Sequence, residues 1–295
     1  MTDPLAPRAP TTVATARGPV ELASFGEGAT IVALHGAMGG WEQSAILALT
    51  VGAPGFRYLA VSRPGYLGTP LSSGSGPEEQ ADLVAALLDA LDVEAAAVMG
   101  ISGGGPAALC FAHRHPGRCW ALLPISTVSG TLENRIPLSF KIMTLLARFG
   151  SFERLMLRRL EKAPEQAAAR SIPDPDLLAR TVADPEVWPL FRRMLVATMD
   201  RMRLRLDGTA NDIAISSSCT YPLEEIAVPV LAVHGTADEM VPYDEHARRL
   251  AERIPGAQLL TIEDGRHVTI FTHRHVVQER VAAFLRQHAP ASSAG

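Results

Sequence analysis

The sequence predicts an α/β fold built on a doubly wound, mostly parallel β-sheet that is interrupted by one helical insertion. Three observations support this prediction. Short, nearly unbroken apolar segments recur along the chain, as is typical of strands that are covered on both faces. Segments with helical character lie between them, and such alternation predicts right-handed crossovers between parallel strands. From residue 127 to residue 220, however, no strand-like segment occurs.

In chain order, the first predicted element is an antiparallel edge hairpin at residues 13–25, which precedes the parallel sheet. Short apolar segments are then predicted as the strands of that sheet, because their length and composition match buried strands. They lie at residues 30–34, 57–61, 95–99, 119–125, 229–233 and 258–262.

Four segments are predicted as helices of the sheet domain, at residues 77–91, 105–116, 243–254 and 276–288. The first of them opens with Pro77 and two acidic residues. Proline is tolerated in the first helical turn, and carboxylates there complement the positive end of the helix dipole. In the last segment, the apolar residues recur at helical spacing.

The helical insertion separates the two sequence segments that are predicted to form the sheet core. Residues 1–126 and 221–295 are expected to form the sheet core, and residues 127–220 a helical cap. Within the cap, residues 137–163 are predicted as two helices that meet near Gly150 and Ser151, and residues 174–206 as two or three more.

Composition excludes several classes of function. The chain has 295 residues, of which 47% are hydrophobic and 20% charged, and its net charge is −4. There is no basic surplus that would favour nucleic acid or an anionic membrane. The first residues lack the pattern of a signal peptide, and no apolar run approaches the roughly 18 residues of a membrane span. We therefore expect a cytoplasmic protein, monomeric or homodimeric, that acts on a small molecule.

The cysteines agree with that expectation. Cys110, Cys119 and Cys219 are odd in number and have no metal-ligand spacing, so they are predicted to be buried thiols of a reducing compartment. No His-x-x-x-His pair, cysteine pair or phosphate-binding loop of the Walker type occurs either. The sequence thus implies neither a metal nor a cofactor.

One motif in the sequence indicates a reactive side chain. Residues 100–104 read G-x-S-x-G, between a predicted strand and a predicted helix. At such a turn, Ser102 is held in a strained conformation and its hydroxyl is exposed at the carboxyl end of the sheet. Gly100 and Gly104 are required because side chains there would collide with the neighbouring strand and helix. Residues 103–108 also match a dinucleotide-binding pattern, but they lie deep in the strand order and the next strand ends in Ser126 rather than an acidic residue.

A serine nucleophile needs a base, an acid that orients the base, and donors for the developing oxyanion. Asp238 and His267 each follow a predicted strand, and the order Ser102, Asp238, His267 is the chain order of nucleophile, acid and base in α/β-hydrolases. The segment HGAMGG, residues 35–40, places a turn after an earlier strand. The backbone N–H groups of Ala37 and Gly103 are the expected oxyanion donors.

These motifs resemble the α/β-hydrolase fold superfamily, in its form of a serine hydrolase with a helical cap. The resemblance extends from about residue 13 to 288 and rests on five segments: HGAMGG, SRPGYLGTP, GISGGG, HGTADEMVP and GRHVTIF. It implies that Ser102 attacks a carbonyl carbon, that His267 transfers the proton, that Asp238 supports His267, and that water releases the acyl-enzyme. HGAMGG departs from the commoner His-Gly-x-Pro-Gly form, and Ser62 stands where many relatives carry Asp.

Other titratable residues have more ordinary interpretations. Glu239 and Asp264 are alternatives to Asp238 as the acid, and His35 is expected to support the oxyanion loop by hydrogen bonding. The remaining histidines named here are interpreted as surface or solvated residues; they are His113, His115, His246, His273, His275 and His288.

The resulting functional prediction is a cofactor-free serine hydrolase that cleaves small to medium apolar carboxylic esters through an acyl-enzyme. The same three residues would also serve lactone opening, C–C bond hydrolysis of a diketone, or perhydrolysis. A non-catalytic ligand receptor on this fold is the third possibility. Such receptors often lose a member of the triad, whereas Ser102, Asp238 and His267 are all present.

Overall fold

The computed structural model describes residues 9–132, 145–147 and 149–290 of the chain. Eight strands form one sheet in the order β1-β2-β4-β3-β5-β6-β7-β8. They are β1 Thr11–Thr15, β2 Gly18–Phe25, β3 Ala29–Leu34, β4 Phe56–Val61, β5 Ala96–Ile101, β6 Cys119–Ile125, β7 Leu231–Gly235 and β8 Gln258–Ile262. The predicted α/β class and mostly parallel sheet are confirmed.

Only β2 runs antiparallel to the other strands of the sheet. β1 and β2 form the predicted antiparallel hairpin, and β2 pairs antiparallel with β4. Every other strand pair is parallel. The carboxyl ends of β3, β5, β7 and β8 therefore open on the same edge of the sheet, and in open α/β sheets this is the edge where ligands bind.

The strands read as unbroken apolar runs because both faces of the sheet are covered. Along β3, Ile31 and Ala33 belong to one hydrophobic cluster, whereas Val32 and Leu34 belong to another on the opposite face. Successive side chains of a strand point to opposite faces, so a strand between two helical layers needs an apolar residue at every position.

Eleven α-helices lie wholly within the described residues. They are α1 Trp41–Val51, α2 Pro77–Ala90, α3 Gly105–Arg114, α4 Gly150–Lys162, α5 Pro164–Ala168, α6 Pro175–Ala183, α7 Trp188–Met199, α8 Leu206–Ser218, α9 Arg249–Arg253, α10 Thr269–Thr272 and α11 Arg274–His288. A single π-helical turn, Asp244–Arg248, leads into α9. The four helices predicted for the sheet domain are all present, with ends shifted by up to a few residues.

Helix α1 was not predicted. Ten of its eleven residues are buried, so its sequence has no polar face from which helical periodicity could be recognised.

Helices α4 to α8 lie between β6 and β7, and the described residues there contain no strand. Helix α4 begins at Gly150, where two helices were predicted to meet. The helix predicted before that point falls mostly outside the described residues. Across the part of the chain that the structure covers, no helix has the length and apolarity needed to cross a membrane.

Candidate active site

Ser102 lies at a sharp turn between β5 and α3. The strand ends at Ile101, residues 102–104 form a single 3-10 turn, and α3 starts at Gly105. The φ angle of Ser102 is +52°, in the left-handed region that side chains other than glycine rarely adopt. The strained turn predicted from the motif is therefore present, and it places the serine at the carboxyl edge of the sheet.

The two glycines that flank the serine are required by close contacts. A Cβ atom on Gly104 would lie 2.5 Å from the carbonyl oxygen of Leu34 and 2.6 Å from that of His35. A Cβ atom on Gly100 would lie 2.8 Å from the carbonyl oxygen of Gly104 and 2.9 Å from the Cβ atom of Ala108. Most of these neighbours are backbone atoms that cannot move aside without distorting the sheet edge or the turn.

Asp238 and His267, which follow β7 and β8, are in direct contact. His267 Nδ1 lies 2.8 Å from Asp238 Oδ2, and His234 Nε2 lies 3.3 Å from the same oxygen. The backbone N–H groups of Met240 and Val241 donate to Asp238 Oδ1 at 2.9 and 3.0 Å. Burial by itself raises the pKa of Asp238, but the hydrogen bonds from His234 and His267 outweigh it and hold that pKa well below its usual range.

This contact assigns the protons of the His267 ring. An ionised carboxylate only accepts hydrogen bonds, so the N–H of the neutral ring must be at Nδ1. Nε2 then carries the basic lone pair. Ser102 and His267 line the same cavity, although no hydrogen bond joins their side chains in the described part of the chain. Hydrogen bonds of this kind are often long in unliganded enzymes and tighten when substrate binds.

The predicted oxyanion donors lie side by side. An added Cβ atom on Gly103 would be 3.5 Å from the backbone nitrogen of Ala37. The loop that carries Ala37 is supported by His35, which is completely buried. Since the backbone N–H of Arg63 donates to His35 Nε2 at 3.0 Å, His35 Nδ1 must donate to the carbonyl of Gly36, 2.7 Å away. Burial, and then the nearby charge of Arg63, hold the pKa of His35 well below its usual value. His35 is therefore a neutral support of the loop, as predicted.

A buried ionic cluster beside this loop was not predicted. Arg63 forms a bidentate pair with Asp212 of α8, with nitrogen–oxygen distances of 2.8 and 2.5 Å, and Tyr66 donates to Asp212 at 2.5 Å. A Cβ atom on Gly103 would lie 2.9 Å from Asp212 Oδ2. The positive charge of Arg63 thus neutralises a carboxylate that lies beside the predicted oxyanion donors. No pattern in the sequence joins residues this far apart, although Arg63 lies within the SRPGYLGTP segment.

The alternative acids lie elsewhere. Glu239 is exposed and forms an ion pair with Arg266 at 2.7 Å. Asp264 is also exposed, and its backbone N–H donates a hydrogen bond to Thr236 Oγ1. Within the described residues, neither carboxylate contacts His267.

The interpretation of His246 as a solvated residue is wrong. Its side chain is buried, and its Nδ1 accepts a hydrogen bond from the backbone N–H of Ser129 at 3.1 Å. Burial lowers the pKa of His246 to about 4. His246 and Leu250 are four residues apart, so both lie on the face of this helical segment that packs against the core. His273 also differs from the prediction, since it is half-buried rather than a surface residue.

The serine and the histidine open into a cavity of about 770 Å³. Its walls come from the sheet edge and from helices α4, α5, α7 and α10, and most of the uncharged side chains that line it are apolar. The apolar lining residues include Ile101, Met156, Leu160, Phe191, Met194, Leu195, Met199, Val268, Ile270 and Phe271. Charged side chains also line it: Arg159, Lys162, Arg170, Glu239 and Arg266.

Known proteins resemble this chain over most of its length. A protein of Nakamurella multipartita described as an alpha/beta hydrolase fold protein superimposes with a TM-score of 0.84 at 32% identity, covering 94% of this chain and 99% of that one. The uncharacterized hydrolase YcgS of Bacillus subtilis is 27% identical over 267 residues, which are 85% of this chain and 89% of YcgS. A 2-hydroxy-6-oxononadienedioate/2-hydroxy-6-oxononatrienedioate hydrolase of Cupriavidus pinatubonensis is 27% identical over 273 residues, 87% of this chain and 86% of that enzyme.

The sequence profile described as alpha/beta hydrolase fold matches residues 29–274, which include all parallel strands and every candidate site residue. The sheet order, the turn at Ser102 and these similarities all agree. The chain therefore belongs to the alpha/beta hydrolase fold family.

Proposed function

We propose that this hydrolase cleaves carboxylic esters through a serine acyl-enzyme, with Ser102 as nucleophile, His267 as base and Asp238 as the acid that orients the base. One observation carries the proposal. A serine with positive φ at a strand–helix turn shares a cavity with a histidine whose Nδ1 contacts a buried, ionised carboxylate. This arrangement leaves the basic nitrogen of the histidine available to remove the proton of the hydroxyl.

The reaction then proceeds in two halves. Ser102 Oγ attacks the carbonyl carbon while its proton passes to His267 Nε2, and the oxyanion accepts hydrogen bonds from the N–H groups of Ala37 and Gly103. The tetrahedral intermediate collapses, and the leaving alcohol takes the proton from His267. Water, activated by the same histidine, hydrolyses the acyl-enzyme and regenerates the serine. Asp238 stabilises the imidazolium that forms in each half.

The cavity indicates the kind of substrate. Its apolar interior supports a small to medium apolar acyl chain, since sites of this volume bury most of a small molecule. We propose that residues 127–220 act as a cap that shapes this cavity and that the substrate is a small molecule. No metal or cofactor has a role in these steps.

Labelling with a fluorophosphonate probe tests the assignment. Unactivated hydroxyls react slowly, so the probe is expected on Ser102 alone, and loop serines such as Ser75 remain as controls in the same digest. Ser102→Ala should abolish labelling and ester hydrolysis, and His267→Ala should nearly do so with the serine still present. The proposal would be contradicted if mass spectrometry found the probe on another serine, or if the Ser102→Ala variant still hydrolysed esters.

Hydrolysis of a C–C bond is the second candidate. It is favoured by the similarity to the dienedioate hydrolase of Cupriavidus pinatubonensis, which covers 86% of that enzyme. The two functions are separated by comparing kcat/KM for p-nitrophenyl esters of increasing acyl length with kcat/KM for a 2-hydroxy-6-oxo dienoic acid. Lactones, and esters in the presence of hydrogen peroxide, extend the panel to the other reactions that the same residues support. Binding of these compounds without turnover of any of them would favour a receptor over both reactions.

A further inference from the structure

Positively charged side chains outnumber negatively charged ones around the candidate active site. Among the described residues that line the cavity, four are cationic (Arg159, Lys162, Arg170 and Arg266) and one, Glu239, is a carboxylate. Glu239 already pairs with Arg266. Three cations thus remain at the cavity in a chain that has more acidic than basic residues overall.

These three cations come from one wall. Arg159 and Lys162 lie in the last turn of α4, and Arg170 follows α5. All three side chains are exposed, and none has an ion pair with any residue that the structure describes. Cations in the last turn of a helix are favoured by the helix dipole. This effect explains the positions of Arg159 and Lys162 without any need for a bound ligand. It does not account for Arg170, which lies outside both helices and still lines the same cavity.

We propose that the natural substrate is an anionic ester, in which an apolar chain separates the scissile carbonyl from a carboxylate held by Arg159, Lys162 and Arg170. This inference rests on the proposed ester hydrolysis and names its substrate class. The guanidinium groups match a carboxylate geometrically, and the ammonium group adds an adaptable positive charge. Apolar residues such as Met156 and Leu160 lie on the same helix as two of the cations, and they would contact the chain between the two ends of the substrate.

The exposure of the cations limits their effect. Ion pairs in contact with water are screened, and single pairs change affinity by a few fold at most. Three cations acting on one carboxylate should together give a preference of about 10-fold or more in kcat/KM at low salt, expressed mainly in KM because the cations contact the substrate far from the reacting bond.

The test uses pairs of esters that differ only in the charge of the remote group. The methyl half-ester of a C6 to C10 dicarboxylic acid is compared with the methyl ester of the corresponding carboxamide, which has the same shape. A second pair carries the carboxylate or carboxamide on the alcohol portion, and so shows which side of the scissile bond faces the cations. The wild-type enzyme should prefer the carboxylate of one pair by about 10-fold in 20 mM salt and lose most of that preference in 500 mM salt.

Variants locate the preference. Arg159→Gln, Lys162→Gln and Arg170→Gln should each reduce the ratio of carboxylate to carboxamide kcat/KM by about two- to fivefold, and the triple variant should bring it close to one. Arg158→Gln is the matched control, because Arg158 is exposed on the same helix but does not line the cavity. It should keep the wild-type ratio. Equal rates for carboxylate and carboxamide in the wild type, or a preference that survives in the triple variant, would overturn the inference.

Binding separates this inference from the proposed function. The inactive Ser102→Ala protein is titrated calorimetrically with a C8 dicarboxylate and with its diamide. Tighter binding of the dicarboxylate, lost in the triple variant, supports the anionic substrate even if no ester is hydrolysed. Equal binding of the two compounds contradicts it even if neutral esters are good substrates.

Discussion

At the residue scale, the proposed chemistry depends on which nitrogen of His267 carries the proton. Asp238 decides this, because it is buried, ionised and in contact with Nδ1. Its other oxygen accepts two backbone N–H groups, so its position is independent of the histidine. Orientation of the base and orientation of the acid are therefore supplied by separate contacts.

Asp238→Asn should reduce kcat for ester hydrolysis on the order of 10³- to 10⁴-fold. An amide has no charge to stabilise the imidazolium, and its NH₂ group favours the wrong ring tautomer. The fold should persist, because the asparagine oxygen can still accept the backbone bonds that Asp238 Oδ1 accepts. Kinetics and thermal unfolding of the same preparation check both statements.

Glu239→Gln and Asp264→Asn are the matched controls for that measurement, and both should retain activity near the wild-type level. Loss of activity in either variant, together with an active Asp238→Asn protein, would reassign the acid.

The buried His246 makes stability depend on pH. The folded-state pKa is about 4, below the ordinary value of 6.5. As the pH falls from about 6.5 to 4, the unfolded chain binds a proton that the folded protein does not, so the free energy of unfolding falls by up to about 3 kcal/mol. His246→Gln removes this proton uptake, and its glutamine oxygen can still accept from Ser129.

Urea unfolding at pH 7 and pH 5 measures this effect within each protein. The loss of stability between these pH values should be about 2 kcal/mol smaller in His246→Gln than in the wild type. An identical loss in both proteins would mean that His246 does not titrate differently on folding.

At the element scale, two connections shape the site: the turn from β5 into α3, and the contacts of α8 with the sheet edge. α8 and the residue before it form hydrogen bonds to the loop after β3, residues 35–40, which carries Ala37. Thr209 accepts from the backbone N–H of Met38 at 3.0 Å, Arg205 donates to the carbonyl of Gly39 at 2.6 Å, and Asp212 pairs with Arg63. Helix α8 is therefore joined by hydrogen bonds to the carboxyl edge of the sheet, although it lies in the stretch predicted as cap.

Gly104→Ala should destabilise the turn and impair catalysis, because the new methyl group would overlap two backbone carbonyl oxygens of the β3 edge. Gly117→Ala is the control, since an added Cβ there meets no atom within 4 Å. The alanine variant of Gly104 is expected to lose at least about 1 kcal/mol of unfolding free energy and most of its esterase activity, whereas that of Gly117 should be close to wild type in both. Similar unfolding curves for the two variants would show that the turn tolerates a side chain.

Arg63→Met should lower the free energy of unfolding by about 3–5 kcal/mol, because it leaves the carboxylate of Asp212 buried without its cation. The double variant Arg63→Met/Asp212→Asn should be more stable than Arg63→Met alone, since the uncompensated charge is gone. Denaturant unfolding of the single and double variants completes the cycle. Additive losses would mean that the two side chains do not stabilise each other.

At the scale of the whole molecule, the site is a space between two layers. The sheet edge supplies the proposed reacting groups. Helices α4, α5 and α7 supply most of the apolar wall, and α4 and the residues that follow α5 supply three of the cations. The substrate range is therefore expected to change with substitutions in these helices that leave the reacting groups untouched.

Leu195→Trp in α7 should shift the preferred acyl length of p-nitrophenyl esters to shorter chains. The larger ring fills part of the apolar cavity, so kcat/KM should fall for octanoate and stay near wild type for acetate. Leu204→Trp is the control, because Leu204 is exposed and does not line the cavity. An unchanged chain-length profile in Leu195→Trp would place the acyl chain elsewhere.

Features that depend on near neighbours in the chain could be predicted from the sequence alone. The apolar segments predicted the parallel strands because both faces of the sheet are buried, and the strand–glycine–serine–helix pattern predicted the strained turn at Ser102. The positions of Asp238 and His267 after β7 and β8 also followed from this pattern, because the carboxyl ends of parallel strands meet at one edge.

Features that depend on packing between distant segments became visible only in the folded protein. The pair of Arg63 and Asp212, the complete burial of α1, the burial of His246 and the cationic wall of the cavity carry no signal in the local sequence. The physical reason is that periodicity and turn composition report the backbone and the faces of one element, whereas an ion pair or a cavity forms only where several elements pack together.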